Sequence, residues 1–66
     1  MHIVINGTPY EMPENTTLMA MMQKLGIEAK VMAAAVNMEI VKKDKWEHFA
    51  PVDGDKIELL HFVGGG

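Results

Sequence analysis

The residues whose pattern best fits a specific chemistry are the three glycines that end the sequence, Gly64, Gly65 and Gly66. A segment without side chains can thread a channel too narrow for any other residue and present a terminal carboxylate to a buried site. Three extended residues reach about 10 Å. A carboxylate is unreactive until it becomes an acyl adenylate, from which a sulfur or nitrogen nucleophile displaces AMP. The pattern predicts such an activated terminus, although terminal glycines are also typical of a disordered end.

Other chemistry has few candidate residues. The sequence contains no cysteine, which excludes a thiol nucleophile, a persulfide carrier and a disulfide. The three histidines, His2, His48 and His61, lack the spacing of a metal-binding motif, so no metal site is predicted. Asp53 and Asp55 flank a glycine, which favours a role in a turn over acid–base catalysis. We therefore expect a protein that is not an enzyme.

Length and composition narrow the class of protein further. Sixty-six residues with 48% hydrophobic and 23% charged residues indicate one globular domain, residues 1–66, with a flexible tail at residues 64–66. A net charge of −3 argues against binding to nucleic acid. The longest apolar run, Val31 to Val36, is far shorter than the roughly 20 residues of a membrane span. With no signal-like segment at the N-terminus, we expect a cytoplasmic protein without a membrane partner.

The first half of the chain predicts a hairpin followed by a helix. A β-branched strand from His2 reaches Asn6-Gly7, a strong signal for a two-residue hairpin turn, and the second strand ends before Pro13. Thr16 or Thr17 is expected to cap a helix of about nine residues that ends at Gly26. Its apolar stripe has helical spacing and consists of Leu18, Met21, Met22 and Leu25.

The second half predicts three more strands. Alanine favours helix in Val31–Asn37, but the absence of a cap and the valines at both ends favour a strand. A turn at residues 37–39 leads to a short strand at Ile40-Val41, and a helical turn is expected near residues 43–47 with Trp46 as an anchor. The last strand is expected over residues 56–63. One main helix on one face of a mixed sheet is an α+β fold.

Several motifs resemble the ThiS family of ubiquitin-like bacterial sulfur carriers. The resemblance spans nearly the whole chain, and its more specific parts are VNMEIV, a tryptophan that follows after four intervening residues, DGDKIE and the terminal glycines. The sequence departs from the family pattern at Met38, where glycine is frequent, at Lys42-Lys43, where Pro-Arg is frequent, and in its alanine-rich third strand. The resemblance implies a β-grasp fold.

The resemblance also implies a reaction cycle in which other proteins supply the catalysis. An E1-like activating enzyme would use ATP to adenylate Gly66, and a sulfur donor protein would convert the adenylate to a thiocarboxylate. Thiazole synthase would then use that sulfur for the thiazole ring of thiamin. The chain itself would bind no cofactor.

Alternation along the last strand predicts a docking surface for these partners. Ile57 and Leu59 are expected to face the helix, which leaves Leu60 and Phe62 on the outer side of the sheet. The predicted interface consists of Leu60, Phe62, Val63, Ala33 and Ala35. Exposed aromatic patches of this kind usually mark interfaces, although Phe62 could instead cover the sheet edge for stability.

Two other functions remain open from the sequence. The small subunit of molybdopterin synthase uses the same tail chemistry, but such chains tend to be longer between the helix and the third strand. A non-catalytic β-grasp binding module with incidental glycines is the alternative from another class.

Overall fold

A computed structural model describes residues 1–62 and shows five strands and one α-helix. The first hairpin joins β1 (His2–Ile5) to β2 (Thr8–Glu11). Its turn residues Asn6 and Gly7 have φ values of 49° and 82°, and asparagine and glycine adopt such left-handed values most readily. The predicted hairpin is confirmed.

The helix, α1 (Leu18–Lys24), is shorter than predicted because Leu25 already has the geometry of a C-terminal cap. Of the two candidate caps, Thr17 is the one used: its hydroxyl accepts from the Ala20 N–H at 3.1 Å. At the other end Gly26 has φ +70°, with hydrogen bonds from Gly26 N–H to Gln23 and from Ile27 N–H to Met22. This pair of bonds is a Schellman motif, which satisfies carbonyls that the helix leaves free.

The alanine-rich segment forms β3 (Val31–Val36), as predicted. Its neighbour β4 (Glu39–Val41) begins at Glu39, so the turn consists of Asn37 and Met38 alone rather than the three residues expected. The last strand, β5 (Lys56–His61), was predicted over residues 56–63; Phe62 lies beyond its end, and Val63 is outside the described residues. One-turn 3₁₀ segments lie at Glu28–Lys30, which was not predicted, and at Lys43–Lys45, within the predicted helical turn.

The five strands form one mixed sheet in the order β2-β1-β5-β3-β4. The central strand β5 pairs parallel with β1 and antiparallel with β3, while the two hairpins are antiparallel. Alternate residues of these strands pack against α1 on one face only. The buried core consists of Ile3, Ile5, Met12, Leu18, Met21, Met22, Val31, Ala34, Val36, Val41, Trp46, Ile57 and Leu59.

Trp46 anchors the segment after β4 to the core, as predicted. Its side chain is only 1% exposed, and its indole Nε1–H donates to the Val41 carbonyl at 2.9 Å. The carbonyls of Trp46 and Phe49 accept from the N–H groups of Met19 and Leu18, which lie in the first turn of α1. The Trp46 segment therefore satisfies helix donors that would otherwise lack partners. No helix within residues 1–62 has the length and apolar character needed to cross a bilayer.

Candidate functional site

The central strand β5 separates buried from exposed residues by strict alternation. Ile57 and Leu59 are 1% and 5% exposed, whereas Leu60 and Phe62 are 60% and 63% exposed. Successive side chains of a strand point to opposite faces, so Leu60 and Phe62 lie on the face away from α1. The predicted orientation of this strand is confirmed.

The small residues of β3 lie beside these exposed side chains. Ala33 pairs with Leu60 and Ala35 pairs with Glu58, and both alanines are half-buried. Because an alanine projects only a methyl group, this part of the sheet forms a shallow groove of about 320 Å³ between larger neighbours. Asn6, Ile40, Glu58 and Leu60 line its sides. The predicted position of Ala33 beside Leu60 is confirmed, whereas Ala35 lies opposite Glu58 and shares the groove with Leu60.

Two exposed residues extend this apolar surface and were not predicted to belong to it. Ile40 pairs with Ala35 and is 73% exposed. Met32, which is 50% exposed, is the extra residue of an irregularity in β3, where Val31 pairs with His61 but Ala33 pairs with Leu60. From Val31 to Ala33 the chain advances two residues along β3, while their partners His61 and Leu60 are only one residue apart. This bulge places Met32 and Ala33 together on the face of the sheet away from α1. We call these exposed and half-buried residues together the outer patch: Met32, Ala33, Ala35, Ile40, Leu60 and Phe62.

Asparagines from both hairpin turns hold β5 in place. The Asn6 carboxamide accepts from the Leu59 N–H at 2.8 Å and donates to the Leu59 carbonyl at 3.1 Å. At the other end of the strand, the Asn37 carboxamide accepts from the Lys56 N–H and donates to the Asp55 carboxylate, both at 2.9 Å. The sequence showed these residues only as turn formers. Their side-chain contacts bridge distant parts of the chain, and such contacts leave no local signal.

In the described part of the chain, aspartate, glutamate and histidine side chains make structural contacts at the start of β1 and in the turn before β5. Asp55 accepts from the Val52 N–H and so stabilises the turn, as predicted, whereas Asp53 accepts from the His2 backbone N–H and joins the turn to β1. His2 lies 2.9 Å from Glu11 on the exposed surface. Within residues 1–62, no cluster of three or more histidine or acidic residues is suited to hold a metal ion.

Four of the predicted site residues, Val63, Gly64, Gly65 and Gly66, lie outside the described residues. The last described residue is Phe62, whose N–H donates to the Lys30 carbonyl at 3.1 Å. In the sequence, only Val63 separates Phe62 from Gly64.

The chain is similar to sulfur carrier proteins and to part of a thiazole synthase. A family model described as the ThiS family matches residues 3–66. The sulfur carrier protein ThiS of Bacillus subtilis is 32% identical over 63 residues, which cover 94% of this chain and 96% of that protein. A thiazole synthase of Paramagnetospirillum magneticum is 38% identical over all 66 residues, and the chain spans only 20% of that protein's length.

A solved structure supports the same assignment. The crystal structure of the thiamine biosynthesis protein (ThiS) from Geobacter metallireducens superimposes with a TM-score of 0.80 and 26% sequence identity, and each chain is covered completely. The mixed sheet with one helix is therefore the β-grasp fold that the sequence motifs predicted. The family model agrees with the Bacillus subtilis relative, which is matched over nearly its full length. The chain therefore belongs to the ThiS family.

Proposed function

We propose that the chain is a sulfur carrier for the synthesis of the thiazole ring of thiamin. The observation that carries this proposal is the match over nearly the full length of both chains to a Bacillus subtilis protein named as a sulfur carrier. The family model extends through Gly66, so the segment that would carry sulfur is part of the match. In this proposal the chain is not an enzyme, because the partners supply every catalytic group.

The proposed chemistry takes place at the carboxylate of Gly66. A carboxylate oxygen attacks the α-phosphorus of ATP in an E1-like activating enzyme, which forms the acyl adenylate and releases pyrophosphate. A sulfur nucleophile from a sulfur donor protein then attacks the acyl carbon and displaces AMP. That nucleophile is the outer sulfur of a persulfide on the donor; a thiol of a partner protein then attacks the donor's inner sulfur, which breaks the S–S bond, leaves a disulfide between that sulfur and the thiol, and releases the glycyl thiocarboxylate. With no cysteine in the chain, the terminal carboxyl is the group on which sulfur would be carried.

The outer patch is the proposed docking surface for these partners. It contains Leu60, Phe62, Ala33 and Ala35 of the predicted interface, together with Ile40 and Met32, and Val63 follows it in the chain. Apolar surface of this kind favours association because contact removes it from water. The outer patch includes Phe62, two residues before Gly64 in the sequence, which supports the proposal, since a partner that holds the patch would also be close to the start of the glycine segment.

The thiazole synthase match supports thiazole formation as the step that uses the sulfur. A segment that makes up 20% of that thiazole synthase is 38% identical to this chain over all 66 residues. We propose that the chain delivers its sulfur to a thiazole synthase in the cytoplasm, with ATP consumed only by the activating enzyme.

Mass spectrometry of the intact chain tests the proposal. After incubation with the activating enzyme, ATP and a sulfur donor protein, we expect one oxygen to be replaced by one sulfur at Gly66. The loaded chain should then supply thiazole synthase and lose that sulfur. An unchanged mass under conditions that load the Bacillus subtilis carrier would favour a binding module. Delivery only to the large subunit of molybdopterin synthase would place the chain in the other pathway.

A further inference from the structure

The Asn6 side chain replaces backbone hydrogen bonds that are missing between β1 and β5. Strand β1 pairs with β5 through Val4–Lys56 and Ile5–Ile57, and the Asn6 N–H adds a bond to the Ile57 carbonyl at 2.9 Å. At the next step, the hairpin turn carries the β1 backbone away from β5. The Asn6 carboxamide has one acceptor and a donor, as a peptide group does, and it binds both backbone groups of Leu59 at 2.8 and 3.1 Å.

Leu59 is consequently the last residue of β5 that is held from both sides within the described part of the chain. Beyond it, contacts with β3 continue on one side through the Val31–His61 pair and the bond from Phe62 to Lys30. On the side of β1, residues 60–62 form no backbone hydrogen bond in the described structure. Leu60 of the outer patch directly follows Leu59, the residue that Asn6 binds, and Phe62 lies two residues further along.

We propose that Asn6 is a positioning residue that fixes the end of β5, and with it Leu60 and Phe62, for docking to the activating enzyme. The inference rests on the proposed function. Without the two Asn6 bonds, the end of β5 would be held by β3 alone, and the remaining loss of freedom when the partner binds would lower the affinity. The reacting carboxyl belongs to Gly66, seven residues after Leu59. Loss of Asn6 should therefore raise KM for the chain and leave kcat nearly unchanged.

The chain offers a matched control at Asn37. Both asparagines have a left-handed backbone, with φ values of 49° and 50°, and both carboxamides make two hydrogen bonds at β5 or the residue before it. Asn37 contacts Asp55 and Lys56 at the far end of the strand from Leu60. Asn6→Gly and Asn37→Gly each preserve backbone freedom while removing the carboxamide.

Adenylation kinetics of the full chain with the activating enzyme and ATP test the proposal. We expect Asn6→Gly to raise KM by about fivefold to tenfold, equivalent to about 1–1.4 kcal/mol of lost binding, with kcat within about twofold of the original. Asn37→Gly should leave both constants nearly unchanged even if it lowers Tm equally. Asn6→Asp, which keeps the acceptor but loses the donor, should fall between the original chain and Asn6→Gly. An unchanged KM in Asn6→Gly, or an equal rise in Asn37→Gly, would overturn the assignment.

Amide hydrogen exchange separates this inference from the proposed function. In the isolated chain, Asn6→Gly should accelerate exchange at Leu59, Leu60 and Phe62 by at least about tenfold relative to Asn37→Gly. If the original chain is not adenylated at all, the proposed function fails, and the exchange rates still show whether Asn6 fixes the end of β5. Unchanged rates at all three amides would refute the positioning role by themselves.

Discussion

The two faces of β5 use the same kind of residue for different purposes. Leu59 and Leu60 are adjacent in sequence, yet Leu59 is 5% exposed in the core and Leu60 is 60% exposed in the outer patch. A helix covers one face of the sheet, while the outer face keeps apolar residues on three neighbouring strands without a cover from residues 1–62. The comparison teaches that hydrophobicity on the inner face builds the fold, whereas on the outer face it is free for binding.

Truncation of the two leucines should give the largest contrast. We expect Leu59→Ala to lower the free energy of unfolding by about 3 kcal/mol, because it removes buried methyl groups and leaves a cavity. Leu60→Ala should change it by less than about 0.5 kcal/mol, as is usual for an exposed site. Urea unfolding followed by circular dichroism measures both. Equal losses in the two variants would show that the outer face also contributes to the stability of the fold.

A charge on the outer patch should affect binding rather than folding. Phe62→Asp is expected to weaken binding to the activating enzyme by about tenfold, because the carboxylate would lose its water in the contact. Calorimetry of the complex measures this loss. Met38→Asp is the matched control, since Met38 is 89% exposed but lies in the β3–β4 turn, outside the outer patch. If Phe62→Asp binds as tightly as this control while remaining folded, the docking surface lies elsewhere.

Met38 also provides the smallest expected effect. Its φ of +72° is unfavourable for a residue with a side chain, whereas the equivalent position of the first hairpin is Gly7. Met38→Gly should therefore raise the free energy of unfolding by about 0.5–1 kcal/mol, the relief of strain being partly offset by the greater freedom of glycine in the unfolded chain. Thermal unfolding measures the gain. A loss of stability would mean that the exposed Met38 side chain makes a favourable contribution of its own.

Local patterns predicted much of the fold. The Asn6-Gly7 turn and the Thr17 cap depend on residues close in sequence, and both were found where expected. The segment Val31–Val36 formed a strand despite its alanines, because pairing with β4 and β5 outweighs an intrinsic helix preference worth less than about 1 kcal/mol per residue.

The remaining features depend on contacts between distant segments. The irregularity at Met32 follows from how β3 pairs with β5, and the place of Ile40 in the outer patch follows from a two-residue turn that strains Met38. Both could be identified only once the register of the strands was known. The same holds for the Asn6 bonds to Leu59, which join residues 53 positions apart.

The most direct test of the central claim is the mass of the intact chain after reaction with the activating enzyme, ATP and a sulfur donor, compared with that of a chain lacking Gly66. We predict that the original chain exchanges one oxygen for one sulfur at its terminal carboxyl. The shortened chain should remain unloaded, although its circular dichroism spectrum and Tm match those of the original. Complete loading of the shortened chain, or sulfur found at any other residue, would contradict the account.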